Sequence, residues 1–70
     1  MPKKIRELKK MLRKAGFQQI PSKGSHTNWI HSLYSGKVTI SEKDSSDAKM
    51  YQERETKRAI EEVNRKRANE

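Results

Sequence analysis

The chain of 70 residues contains no cysteine. That excludes disulfides and thiolate metal sites and is compatible with a reducing cytoplasm. No apolar run approaches the length of a membrane span or of a signal-peptide core, so a soluble, cytoplasmic protein with no membrane partner is expected. Hydrophobic residues make up only 30%. A chain this short and this polar has one small core, is marginally stable and has no room for an enclosed cofactor pocket. One domain is therefore expected over residues 1–70, with an ordered core from about 3 to 65 and no small-molecule cofactor. Carboxylates are sparse before the last third of the chain, where only Glu7, Glu42, Asp44 and Asp47 occur. There is no glycine-rich phosphate motif, and no nucleophile stands with a base and an orienting group at telling spacing.

Positive charge is what the sequence has in excess. Seventeen Lys and Arg against nine Asp and Glu give a net charge of +8. Residues 1–16 hold seven basic residues (Lys3, Lys4, Arg6, Lys9, Lys10, Arg13, Lys14) and one acid, Glu7, for a net of +6. A positive field concentrated in this way favours a polyanion, and nucleic acid is the commonest one. An anionic membrane surface and an acidic protein are the other candidates.

The spacing predicts a helix over about 3–15. Ile5, Leu8, Met11, Leu12 and Ala15 recur three and four residues apart and fall within about 120° of arc. Arg6, Lys9, Lys10, Arg13 and Lys14 fall on the opposite side. Pro2 precedes the helix, where its missing N–H costs least, and Gly16 stands where a left-handed glycine usually ends one. Phe17 is expected to fold back onto the stripe. A membrane-lying helix would carry bulkier apolar residues and an aromatic, so this stripe is read as core.

Residues 17–21 read as a short strand that Pro21 ends or confines to an edge. Ser22-Lys23-Gly24-Ser25 is a turn in which Gly24 takes positive φ. Residues 27–32 form a second strand, with Thr27, Trp29 and His31 on one face and His26, Asn28 and Ile30 on the other. Trp29 in the core leaves His26 and Asn28 open and Ile30 exposed. With Ile30 in the core the faces swap, and His26 reaches solvent from the strand's end. Residues 33–36 are a hairpin connection, and 37–41 a third strand with Val38 and Ile40 on one face. Residues 42–47 are a polar loop in which Ser46 or Asp47 could cap the last helix. That helix is placed over about 49–65, with a thin stripe of Thr56, Ala59, Ile60 and Val63, off which Met50 and Tyr51 fall. Glu53 with Lys57, Glu61 with Arg65 and Glu62 with Lys66 are favourable i,i+4 pairs. Residues 64–70 have no apolar anchor and are expected to fray. The predicted fold is α+β, in the order αβββα: a three-stranded antiparallel sheet with both helices on one face. This order is that of double-stranded-RNA-binding domains.

Metal ligation is not supported by the spacing. His26 and His31 are five residues apart, face opposite ways on a regular strand, and have no acid near them in sequence. Metal-free RNA cleavage needs less, because the nucleophile is the substrate's own 2′-hydroxyl. A base must take its proton, and charge must be stabilised on the phosphate as the 5′-oxygen departs. Histidine suits the proton transfer near neutral pH, and lysines and backbone N–H groups suit the charge. His26 is therefore the candidate catalytic group. Lys23 and the amides of Gly24 and Ser25 lie beside it in sequence, and Lys37 with the helix residues Arg6, Lys9, Lys10 and Arg13 could hold flanking phosphates. Each also has a plainer reading. Ser25 can be a turn residue only, the lysines a solvated face, and His31 a packed strand residue. Trp29 could stack on a base but is better used in the core.

The ordered pieces of this chain resemble the HicA, or YcfA-like, toxins of bacterial toxin–antitoxin pairs. The resemblance covers about residues 4–63. It is carried by the basic first helix ending in Leu12-Arg13-Lys14-Ala15-Gly16-Phe17 and by Lys23-Gly24-Ser25-His26 followed by Trp29 and His31. Gly36-Lys37-Val38 and the Arg58-Ala59-Ile60 of the last helix complete it. The resemblance implies a double-stranded-RNA-binding-like fold, metal-independent ribonuclease activity on messenger RNA, and neutralisation by a HicB-type antitoxin. It also implies that His26, in the Gly-Ser-His motif, is the catalytic histidine. Many relatives carry a histidine or a proline-containing segment after the third strand. This chain has Ser41-Glu42-Lys43-Asp44 there, with acids where RNA would pass. Two other readings stand beside the endoribonuclease: a non-catalytic RNA-binding module, and a basic protein-interaction domain with an acidic partner.

Overall fold

A computed structural model describes residues 3–24, 26–41 and 43–69. Five elements follow in order: α1 (Ile5–Lys14), β1 (Gln18–Ile20), β2 (Thr27–Ile30), β3 (Val38–Ile40) and α2 (Met50–Ala68). The strands form one antiparallel sheet in the order β1-β2-β3. The αβββα prediction therefore holds, with each strand two residues shorter than expected: β1 and β3 lose one at each end, and β2 loses two at its C-terminal end.

The register explains which side of the sheet is covered. Trp29 pairs with Gln19 on one side and Val38 on the other, and Thr27 pairs with Ile40. Alternation then sends Trp29, Val38 and Ile40 to one face, and all three are buried. They join Ile5, Leu8, Leu12 and Ala15 from α1, and Ala59 and Val63 from α2, in a single core. Both helices therefore cover the same face. The other face carries Gln18, Ile20, Asn28, Ile30 and Thr39, and Ile30 is 37% exposed. Of the two assignments open from the sequence, Trp29 is the one inside, with no exposed surface. Its indole N–H donates to Thr27 Oγ1 at 3.1 Å, and Thr27 Oγ1 in turn donates to the Ile40 carbonyl at 3.1 Å. The buried indole is thus satisfied as burial requires.

The ends of α1 are made by different means. At the C-terminus Gly16 takes φ +94°. Its N–H donates to the Arg13 carbonyl and the Phe17 N–H to the Leu12 carbonyl, at 3.0 and 2.9 Å. This is the Schellman arrangement that the glycine permits, and it turns Phe17 onto the stripe, where it is buried. At the N-terminus the Glu7 carboxylate accepts the Lys4 N–H at 2.9 Å. The Ile5 and Arg6 N–H groups donate to the carbonyls of Ser46 and Asp44 at 2.9 and 3.2 Å. The loop between β3 and α2 thus supplies acceptors that α1 cannot find within itself. Asp47 adds an ion pair to Lys4 at 2.7 Å.

Three expectations are corrected. Ser46 and Asp47 do not cap the last helix. They serve the first, and Lys49 stands at the N-cap of α2, where Gln52 Oε1 accepts its N–H at 2.8 Å. The last helix does not fray after residue 65 but runs to Ala68. Its final turn is anchored by a polar contact in place of an apolar one: Arg67 donates to the Ala15 carbonyl at 2.8 Å. Of the three i,i+4 pairs on this helix, Glu62 with Lys66 closes, at 3.4 Å. Met50 and Tyr51, which fall off the apolar stripe, are exposed. Pro2, read as preceding the first helix, lies outside the described residues.

Candidate nucleic-acid interface

Burial of Trp29 fixes where His26 points. Side chains alternate along β2, so with Thr27 and Trp29 inward, Asn28 and Ile30 face outward. His26, at the approach to the strand, is exposed. Its backbone N–H meets the Lys23 carbonyl at 3.4 Å across the turn that Gly24 makes with φ +65°. A Cβ on Gly24 would meet nothing within 4 Å. The turn therefore needs glycine for its backbone angle and not for space. Lys23 and Gly24 are exposed beside His26, and Ser25 lies outside the described residues.

The open face runs away from His26 along β2. Asn28 follows, and its carbonyl oxygen accepts the Thr39 hydroxyl at 2.8 Å. That bond leaves the amide NH₂ of Asn28 for a partner from outside. Ile30 comes next. Lys37 precedes β3 and shares the alternation of Thr39, so it belongs to the same face, at the end remote from His26, and it is exposed. Four residues of strand separate His26 from Ile30, about 13 Å. His26 and Lys37 thus flank a polar strip with one apolar contact at its far end. Read from the sequence with Trp29 inside, Asn28 stands beside His26 on the open face, but neither it nor Thr39 carries a functional role there. The alternation that exposes them could have shown them, had the face been settled.

The basic face of α1 is less free than its composition suggested. Arg6, Lys10, Arg13 and Lys14 are exposed. The Lys9 amine is bonded to Asp44 at 2.5 Å, and its side chain is only 13% exposed. That hydrogen bond, and next the Lys9 charge, hold the Asp44 carboxyl below its ordinary range, with Arg13 and Arg6 acting in the same direction. The Arg13 guanidinium lies over the Trp29 ring, 5.3 Å from its centroid. Of the four helix residues predicted to meet phosphate, two therefore have internal partners, and Arg6 and Lys10 remain directed to solvent.

The sheet register links this helix face to His26. Thr27 pairs with Ile40, so the start of β2 lies beside the end of β3. Asp44 is three residues beyond Ser41, a reach of about 11 Å at most. The turn carrying Lys23 and Gly24, His26, and the Arg6 side of α1 are thereby gathered at one end of the sheet. His31 lies at the other end. It is half-buried, its ring packs on Phe17 at 5.2 Å, and its Nδ1 accepts the Leu33 N–H at 2.9 Å. The structure does not bring the two histidines together. Among the described residues no three of His, Asp and Glu are placed to hold a metal ion, and no helix is long and apolar enough to cross a membrane.

Comparison with known proteins gives one match. Residues 5–61 fit the family model described as the HicA toxin of bacterial toxin–antitoxin systems. The matched span takes in α1, the whole sheet and most of α2. No curated protein and no solved structure matches the chain.

Proposed function

The chain belongs to the HicA toxin family of bacterial toxin–antitoxin systems, and from that premise we propose that it is a metal-independent endoribonuclease that cleaves messenger RNA in the cytoplasm, with His26 as the group that moves the proton. Family membership makes it the toxin of a pair and implies an antitoxin partner. A HicB-type antitoxin is our reading of that partner.

The observation that carries the proposal is the placement of His26. Its ring is exposed at the end of an open sheet face, beside a glycine turn and Lys23. In the reaction the 2′-oxygen of the RNA attacks the adjacent phosphorus while His26 takes the 2′-hydroxyl proton. The P–O5′ bond breaks, and the departing 5′-oxygen is protonated, leaving a 2′,3′-cyclic phosphate and a 5′-hydroxyl. Lys23 and the amides of Gly24 and Ser25 stabilise the extra charge on the phosphate. Arg6, Lys10 and Lys37 hold neighbouring phosphates.

The test uses purified protein and RNA in the presence of a chelator. His26→Ala is expected to lower cleavage by about 10²–10⁴-fold, the range of a general acid–base contribution. Its melting temperature and its binding to RNA should stay near those of the wild type, because the residue is exposed. Cleavage at the wild-type rate by that variant would sink the assignment. Binding by the wild type with no product at any enzyme concentration would instead favour a non-catalytic RNA-binding module. An absence of any RNA effect would leave a basic protein-interaction domain.

A further inference from the structure

A second polar cluster lies at the end of the sheet remote from His26. A cavity of about 340 Å³ is lined by Gly16, Gln18, Ile30, His31 and Ser32. Gln18 and Ile30 are cross-strand partners on the open face, so the cavity continues that face. His31 lines it, and next to His31 stands Arg67, which lines a neighbouring recess with Met11, Lys14, Ala15, Ile60 and Asn64; its Nη2 is 3.2 Å from His31 Nε2 while donating to the Ala15 carbonyl at 2.8 Å. Gly16 lets them approach, since a Cβ there would meet Arg67 Nη2 at 2.9 Å and His31 Nε2 at 3.2 Å.

The hydrogen bonding of His31 is what points to a ligand. Its Nδ1 faces the Leu33 N–H at 2.9 Å, and its Nε2 faces the Arg67 guanidinium. Both neighbours are donors, and an arginine can only donate. A neutral imidazole has one accepting nitrogen. With Nδ1 accepting from Leu33, the ring proton is on Nε2, and an N–H there meets an N–H of Arg67 with no acceptor between them. The other tautomer moves the conflict to Leu33, and a charged ring has it on both sides. An oxyanion lodged against this pair would accept from both groups, and arginine favours such charge-assisted contacts. Gln18 and Ser32 offer further donors on the rim.

We propose that the His31–Arg67 pair at the edge of this cavity, with Gln18 and Ser32 on the cavity side, is a phosphate subsite, and that the phosphate it takes is one of an RNA backbone. The choice of RNA as the source rests on the function proposed above. The open face leads from His26 to Ile30 over about 13 Å, the rise of about four stacked nucleotides. A strand cleaved at His26 thus reaches the cavity with a phosphate several nucleotides away, and the subsite adds affinity and register without touching the reacting atoms. Arg67 lies beyond the residues 5–61 that match the family model.

Two measurements test the proposal. In the first, inorganic phosphate is titrated into the full chain and the ring signals of His31 and the guanidinium signals of Arg67 are followed by NMR, against sodium chloride at equal ionic strength. Phosphate should shift both and chloride should not, and Ser32→Asp, which places a negative charge on the rim and leaves the Ala15 contact of Arg67 in place, should abolish the response. Equal response to the two salts, or none, overturns the site. In the second, binding of a 2′-O-methyl oligoribonucleotide is measured across salt concentrations. Arg67→Gln and Ser32→Asp should each weaken binding several-fold, with the slope of log K against log salt smaller by about 0.7, as for one lost phosphate contact on a single strand. A phosphate response together with unchanged RNA binding in both variants overturns RNA as the source and leaves a free phosphate or mononucleotide. The phosphate titration does not depend on cleavage, so failure of the His26 experiment and failure of this site are separable.

Discussion

Replacing Gly16 by alanine tests how the end of α1, the last turn of α2 and His31 are joined. Gly16 takes φ +94°, and an L-residue in the left-handed region costs about 1–2 kcal/mol. The new methyl would also stand 2.9 Å from Arg67 Nη2. A flexible arginine can move away, but in doing so it releases the Ala15 carbonyl. The loss of that partly exposed, charge-assisted hydrogen bond is worth about 1 kcal/mol. Stiffening of the unfolded chain returns about 0.5 kcal/mol. The net destabilisation is therefore about 1.5–2.5 kcal/mol, and at about 4–8 °C per kcal/mol for a domain of this size the melting temperature falls by about 6–20 °C. A 70-residue domain has only about 4–10 kcal/mol in total, so the variant should fold but melt early. Thermal unfolding by circular dichroism measures the fall. The same substitution in an Arg67→Ala background should cost only the backbone part less that return, about 0.5–1.5 kcal/mol. An equal cost in both backgrounds would refute the contact with Arg67, and a cost under about 0.5 kcal/mol would refute the backbone argument as well.

Thr56 is fully buried in α2, and its hydroxyl has no hydrogen-bond partner among the described residues. Thr56→Val exchanges that hydroxyl for a methyl of similar size, and it is expected to stabilise the fold by about 1–2 kcal/mol in denaturant unfolding; a loss of stability would show that the hydroxyl is satisfied in solution. Lys9 holds the Asp44 carboxyl below its ordinary value of 3.8, so its ion pair contributes stability above that pH and loses it as pH falls through the lowered value of the folded state. The difference in melting temperature between wild type and Asp44→Asn should accordingly narrow as the pH is taken below 3.8; a difference independent of pH would mean that the pair contributes nothing. The same variant should bind RNA more tightly at low salt, because it frees the Lys9 amine and keeps the Asp44 carbonyl that receives the Arg6 N–H.

What could be read from the sequence was whatever a local period or a backbone angle specifies. The stripe of α1 spans enough turns for its apolar arc to be measured, and Gly16 marks its end by a requirement that few other residues meet. The three strands were found by alternation, but three- and four-residue strands leave their boundaries to pairing, and pairing is not local. The same limit left Trp29 and Ile30 as rivals. What settles them is the chain of hydrogen bonds from the Trp29 indole through Thr27 to the Ile40 carbonyl, which joins residues 13 apart. Arg67 was lost for the opposite reason. Residues 64–70 show no apolar anchor, and fraying follows if apolar contact is taken as the only kind. The last turn is held by the C-terminal carbonyl of another helix, 52 residues away in sequence. Such a carbonyl attracts a cation wherever the fold brings one to it. His26 was legible as a residue type, in a turn of recognisable chemistry. Its orientation came only with the burial of Trp29.

The loop between β3 and α2 changes the meaning of the net charge. Seven basic residues in the first sixteen read as a broad field for a polyanion. The loop then places Asp44 on Lys9 and Asp47 on Lys4, and the core takes Arg13 as a cover for Trp29. Three of the seven are thus engaged within the molecule, by the same segment and the same ring that complete the fold. The loop cannot be moved aside without cost, since its carbonyls also terminate α1 at Ile5 and Arg6. A polyanion approaching the molecule therefore meets a narrower set of free cations: Lys3, Arg6, Lys10 and Lys14 of the seven, and Lys23 beside His26. Arg6 and Lys23 lie at the end of the sheet where the histidine is exposed, and Lys10 stands further along the helix. The pairing thus leaves a few free cations near the histidine in place of a broad field, and selection of one phosphate over its neighbours depends on where those few stand more than on a large total charge.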